Sequence, residues 1–266
     1  MAQGIKKATY TSLTTGITEQ TLNGGNDITI PKGIKQIVGI EPIVVPVTPT
    51  ANESVLAKVK LTSTDIALYN CEFLANPSAA ILGATGQMHV AKSKFWPLYV
   101  PVNGGEKVQI KGTALVANSV APLMGANLYL SDQPPILPQR KGKIGTLTTM
   151  GTAAAKVVTD AAFQVTGGSI LESVYGAVVP TTVAASNPII ASGNVISSDL
   201  LPPFPIEFPI TPVGAGLGAL IAPTHDGIVE ADIAIAMAST TNMELSITME
   251  RAVSVAPNGV VGVVYV

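Results

Sequence analysis

The feature that most constrains this chain is that it repeats itself. Val44-Val45-Pro46 recurs as Val178-Val179-Pro180, and Leu61-Thr62-Ser63-Thr64-Asp65 as Val195-Ile196-Ser197-Ser198-Asp199, both at a spacing of 134 residues. Ala51 meets Ala185 on the same spacing. The opening pieces, Ile28-Thr29-Ile30-Pro31-Lys32-Gly33 and Phe163-Gln164-Val165-Thr166-Gly167-Gly168, need 135, so a one-residue shift intervenes. The later parts echo more loosely. Phe95-Trp96-Pro97-Leu98 resembles Glu207-Phe208-Pro209-Ile210, each followed by glycines and then by a strongly alternating strand. A period this long is an ordinary domain, not a solenoid unit of roughly 20–50 residues. The chain reads as one fold used twice.

That fold is built from strands. In Val55-Leu56-Ala57-Lys58-Val59-Lys60-Leu61 the odd positions are apolar and the two lysines face the other way. Glu106-Lys107-Val108-Gln109-Ile110-Lys111, the start of Val229–Met237, and Asn242–Glu250 alternate in the same manner. Period two places one set on a dry face and the other in water, which suits antiparallel sheets. A dry face must be covered, and a second sheet is the simplest cover. Turn residues punctuate the segments: Asn23-Gly24-Gly25-Asn26-Asp27, Asn103-Gly104-Gly105-Glu106, and Asn258-Gly259 as a hairpin signal. The interval 76–92 is the best place for a short helix or an ordered loop, since Asn76-Pro77-Ser78-Ala79-Ala80 could start a helix. The segment 134–156, opening on Pro134-Pro135, reads as a linker or crossover. The expected domains are an N-terminal arm over 1–22, a first sandwich over 23–133 and a second over 157–266.

Charge is scarce and uneven. Charged residues are 12% of the chain, against about 25% in a typical soluble domain, which suits a surface covered by copies of itself. Residues 1–143 hold 13 Lys/Arg and 8 Asp/Glu, net +5, while 144–266 hold 2 and 9, net −7. Opposite halves can set register between neighbours. The single cysteine, Cys71, lies in an apolar stretch and reads as a buried thiol. Met1 to Lys7 is followed by threonines, which predicts no signal peptide, and no run of 18 apolar residues predicts a spanning helix.

Chemistry-bearing constellations are missing. His89 and His225 stand far apart and outside any zinc spacing, and His225-Asp226 reads as a surface turn. Arg140-Lys141-Gly142-Lys143 lacks the phosphate-loop spacing and reads as solvated charge. Glu230 and Asp232 share a strand face, a pairing that glycosidases and calcium sites use, yet aromatic residues are 5% of the chain. Phe95-Trp96, the one candidate centre for a binding patch, reads as core. The expectation is no catalytic, cofactor or metal residues, no cofactor, and no enzyme.

Two β-sandwiches of roughly 130 residues, carrying Val44-Val45-Pro46-Val47 and Val178-Val179-Pro180-Thr181, the aromatic-Pro pairs Trp96-Pro97 and Phe208-Pro209, and a hinge near 134–143, resemble the double jelly-roll major capsid proteins of tailless icosahedral viruses. The resemblance covers about 20–266 and has no signature motif. It implies an all-β fold of two tandem antiparallel β-sandwiches of jelly-roll type. It also implies a homotrimer that tiles a shell pseudo-hexagonally, with minor capsid or vertex proteins and an internal membrane as further partners. The implied location is the virion, assembled in host cytoplasm, with residues 1–22, bearing Lys6 and Lys7, as an arm that reaches inward or to neighbours. No specific nucleic-acid motif accompanies it. The alternatives are a surface-layer, filament or tail-type structural protein, and a carbohydrate-binding or hydrolytic β-sandwich.

Overall fold

A computed structural model describes residues 3–7, 11–47, 53–66, 70–81, 87–181, 189–197, 206–210 and 228–266. The strands are β1 (Gln3–Lys7), β2 (Thr11–Ser12), β3 (Glu19–Thr21), β4 (Ile28–Thr29), β5 (Gln36–Val45), β6 (Glu53–Val55), β7 (Ala57–Thr62), β8 (Asn70–Leu74), β9 (Ser78–Ile81), β10 (Gln87–Val90), β11 (Trp96–Pro101), β12 (Lys107–Ala114) and β13 (Leu123–Ser131). They continue as β14 (Lys141–Ile144), β15 (Thr148–Thr149), β16 (Lys156–Val165), β17 (Ile170–Pro180), β18 (Ala191–Ile196), β19 (Ile206–Ile210), β20 (Val229–Ala236), β21 (Thr241–Met249) and β22 (Pro257–Tyr265). Among the described residues there is no helix.

The chain forms two tandem antiparallel sandwiches of jelly-roll type. In the first, the sheet β1-β13-β5-β11, with β2 also on β13, faces β3-β12-β7-β8, with β4 also on β12. In the second, β14-β22-β17-β20, with β15 also on β22, faces β16-β21-β18-β19. The two orders correspond strand for strand. Early and late strands alternate across each sheet, as a wrapped double Greek key requires. A small sheet, β10-β9-β6, is added to the first sandwich.

The duplication holds residue by residue. Ile40 on β5 is flanked by Leu128 and Trp96, and Val174 on β17 by Val263 and Ala231. The pairing to β13 slips past Val38, and the pairing of β17 to β22 slips past Glu172 at the matching place. β11 skips Leu98 and Tyr99 against β5, and β20 skips Ile233 and Ala234 against β17. Gly33 and Gly168, partners in the 135-residue echo, both adopt positive φ, 85° and 80°, which a side chain resists. Pro46 and Pro180 are both buried at the ends of their strands, while Ala51, Ala185 and Asp199 lie outside the described residues.

Several expectations need correction. Phe208-Pro209 does not echo Trp96-Pro97. β19 pairs with β18 as β8 pairs with β7, so Glu207-Phe208 answers Glu72-Phe73. The segments expected as arm (1–22) and as linker or crossover (134–156) contain paired strands. β1 and β2 pair with β13, and β14 and β15 with β22, so each opens its own sandwich as an edge strand. Edge pairing needs backbone alone, and an edge strand shows little alternation. Ser78–Ile81 and Gln87–Val90 are strands, not the short helix or ordered loop expected there. Asn76 there caps no helix. Its amide bonds Val44 through Val44 N–H to Oδ1 (2.9 Å) and Nδ2 to Val44 O (3.2 Å), acting as a piece of strand. Asn258-Gly259 lies inside β22, with Gly259 under Ile247 and Met150. Asn103–Glu106 turns between strands of different sheets, not within a hairpin.

Candidate functional site at the seam between the sandwiches

The sheet β14-β22-β17-β20 was expected to have one wet face, and it has none over β17 and β22. Residues 173–180 and 257–264 are buried without interruption. Alternate residues serve different cores. Val174 and Val178 pack inside the second sandwich. Tyr175, Ala177, Val179, Val260 and Val264 point the other way, into the apolar cluster of the first.

The first sandwich meets this face through its β8–β11 edge. Trp96 stacks on Phe73 (centroids 5.0 Å apart) and packs on Tyr175 (4.7 Å), while its Nε1–H donates to Leu74 O at 2.9 Å. Each aromatic pair adds about 0.5–1.5 kcal/mol beyond its area. Tyr175 Oη donates to Glu72 O at 3.5 Å. Burial first, then the carboxylates of Glu72 and Glu230, pushes the Tyr175 hydroxyl well above its ordinary pKa, so this ring stays neutral.

Charges close the rim. Lys94 Nζ lies 2.8 Å from Glu230 Oε2 and 5.0 Å from the Trp96 ring. Ser173 Oγ donates to the other oxygen of Glu230. Arg140 Nε pairs with Glu172. Cations come from the basic half and acids from the acidic half. Such pairs fix orientation more than they add stability.

The residues singled out by sequence are thus dispersed into structural roles. Cys71 is buried on β8, its thiol 4.0 Å from Arg140 O. Lys143 Nζ donates to Gln164 O at 2.8 Å and sits 4.6 Å over the Phe163 ring. Glu230 is held within its own chain, and Asp232 is exposed. His89 is on β10, and His225 and Asp226 lie outside the described residues. Trp96 is core, as expected, while Phe95 is 41% exposed. Among the described residues, no three His, Cys, Asp or Glu side chains gather where a metal ion would fit. Tyr175 escaped sequence reading. Its one sequence signal was Gly262 within the apolar run Val260–Val264, where a Cβ would lie 2.4 Å from Tyr175 Cζ; Gly142, where a Cβ would lie 2.3 Å from Phe73 Cε1, sits in a basic segment and gave none.

The corresponding outer face of the first sandwich is open. A cavity of about 400 Å³ is lined there by Val38, Glu41, Phe95, Tyr129 and Leu130. Phe95 meets Tyr129 edge-on at 5.1 Å. Glu41 accepts from Ser93 Oγ (2.5 Å), Tyr129 Oη (2.5 Å) and Asn127 Nδ2 (3.3 Å). The Ser93 bond, followed by the Tyr129 bond, holds the Glu41 carboxyl below its ordinary pKa.

No protein-family model matches the chain, and no curated protein does. Among solved structures, the chain is similar to one from Sulfolobus turreted icosahedral virus, with TM-score 0.46, 10% identity, and 99% of this chain and 90% of that one covered. It is also similar to PNGase F, a glycosylasparaginase from Flavobacterium meningosepticum, with TM-score 0.43, 8% identity and coverage of 99% and 96%. A chain of broad bean stain virus matches with TM-score 0.37, 8% identity and coverage of 100% and 88%.

Proposed function

We propose that the protein is a structural subunit that assembles with copies of itself into a trimeric, pseudo-hexagonal tile of an icosahedral virus capsid. The observation that carries this reading is the residue-by-residue duplication, with the two sandwiches locked together by an apolar seam. One fold used twice in a rigid chain presents near-identical units to its neighbours, so a few copies can surround a point with similar contacts. The low charge supports the same reading, since large surfaces can dry without stranding ions. The conspicuous carboxylates at the seam are already paired: Glu230 with Lys94 of the first sandwich, and Glu172 with Arg140 in the connection just before β14. A hydrolytic reading would want such carboxylates free.

The test is assembly. Purified protein at micromolar concentration is expected to sediment as trimers or larger species, and electron microscopy is expected to show flat tiles or closed shells. A monomer at that concentration overturns the reading. Extended fibres would replace the shell with a filament, because a head-to-tail contact that fails to close grows without end.

A further inference from the structure

Two surfaces that the repeat makes equivalent meet different fates. On β17 and β22, Tyr175, Ala177, Val179 and Val264 are covered by the first sandwich. Shared strand pairing maps them onto Glu41, Ile43, Val45 and Tyr129 of β5 and β13, and these four are half-exposed. The match extends to the cavity. Val38, Glu41 and Phe95 occupy the places of Glu172, Tyr175 and Glu230, which Arg140, Trp96 and Lys94 engage at the seam.

The covering edge also has a counterpart. Phe208 and Glu207 on β19 stand where Phe73 and Glu72 stand on β8, and Val229 stands where Lys94 stands. We infer that the β19–β20 edge of one copy docks on the outer face of the β1-β13-β5-β11 sheet of a second copy, repeating between chains the contact made within one. The inference rests on the self-assembly reading and adds the two surfaces that meet.

The side chains suit this. The ion pair Lys94–Glu230 becomes Val229 against Phe95, so no charge is stranded where charges had been paired. Trp96 and Tyr175 give way to Ala231 and Glu41, while Phe95 and Tyr129 supply aromatic bulk where the seam has Glu230 and Val264. Glu41 brings three hydrogen bonds from its own chain and can be covered without a new partner. The contact sets the first sandwich (residues 1–133, 10 Lys/Arg and 8 Asp/Glu, net +2) against the second (residues 134–266, 5 and 9, net −4), which steers this orientation over face-to-face pairing. Face and edge differ, so the contact is heterologous and runs head to tail.

The experiment uses two variants of the full chain, Phe95→Glu on the face and Val229→Glu on the edge. Each alone is expected to lose assembly beyond the monomer in sedimentation, with native Trp96 emission. Mixed one to one, they are expected to form a discrete dimer, because each retains the surface the other lacks. If either variant fails to fold, single-cysteine chains carrying Phe95→Cys or Val229→Cys, both with Cys71→Ser, replace them. A short bis-maleimide is then expected to join the two kinds of chain and not Phe95→Cys to itself. Wild-type assembly with unaffected variants, or folded variants that do not pair when mixed, overturns this inference and leaves self-assembly standing. A monomeric wild type overturns both.

Discussion

Two glycines let the aromatic seam close. A Cβ at 142 would sit 2.6 Å from Glu72 O as well as 2.3 Å from the Phe73 ring, and one at 262 would strike Tyr175. A ring edge can yield by a few tenths of an ångström, whereas a carbonyl fixed in β8 carries its strand with it. Gly142→Ala is therefore expected to destabilise the protein by about 1–3 kcal/mol, the range for overpacking a tight core. The chain has one tryptophan, and Trp96 lies at the seam, so its emission reports the damage directly. Urea unfolding should show a lower midpoint and the folded spectrum should shift to the red. Gly16→Ala, where an added Cβ meets nothing within 4 Å, serves as the control. An unchanged midpoint for Gly142→Ala would mean the seam is looser than the contact implies.

At the scale of elements, what the sequence displayed was governed by burial on one face. β7 and β12 alternate between core and solvent, so their period-two pattern survives in the residues. β5 and β17, with Val44-Val45-Pro46 and Val178-Val179-Pro180, were legible as a repeat because both strands run through the middle of a sheet. β22 was misread at Asn258-Gly259 because a strand buried on both faces loses alternation, and its glycine serves packing, not turning. β1, β2, β14 and β15 were invisible for another reason. Their place depends on a neighbour's unpaired backbone, which no local pattern records. This difference is measurable. Deleting residues through Ser12 removes the register Gln3↔Ser131 to Lys7↔Asn127 and the pairs of β2. Each ladder bond lost costs about 0.5–1.5 kcal/mol and bares the edge of β13. The truncated chain is expected to unfold at lower urea and to aggregate. A dispensable arm would leave the unfolding midpoint of the unassembled chain where it was.

At the scale of the whole molecule, the decisive fact is that the core does not stop at the domain boundary. Two sandwiches joined by a polar linker behave as separate beads, and interfaces between domains are usually more polar than cores. Here Tyr175, Ala177, Val179, Val260 and Val264 belong to the first sandwich's apolar cluster while their neighbours on the same strands build the second. β17 and β22 are thus shared walls, and neither sandwich can lose them alone. Unfolding the first uncovers that face to water, and unfolding the second removes the floor beneath Trp96. We expect one calorimetric transition for the unassembled chain, with van't Hoff and calorimetric enthalpies equal. Trp96→Ala is expected to cost about 3–5 kcal/mol, and because it removes the ring that bridges Phe73 of the first sandwich to Tyr175 of the second, it should split that transition into two. Phe163→Ala, inside the second sandwich alone, should lower the single transition without splitting it. Two transitions in the wild type would mean that the seam is a docking contact and not a common core. The rigid two-unit block on which a tile of near-equivalent neighbours depends would then be lost.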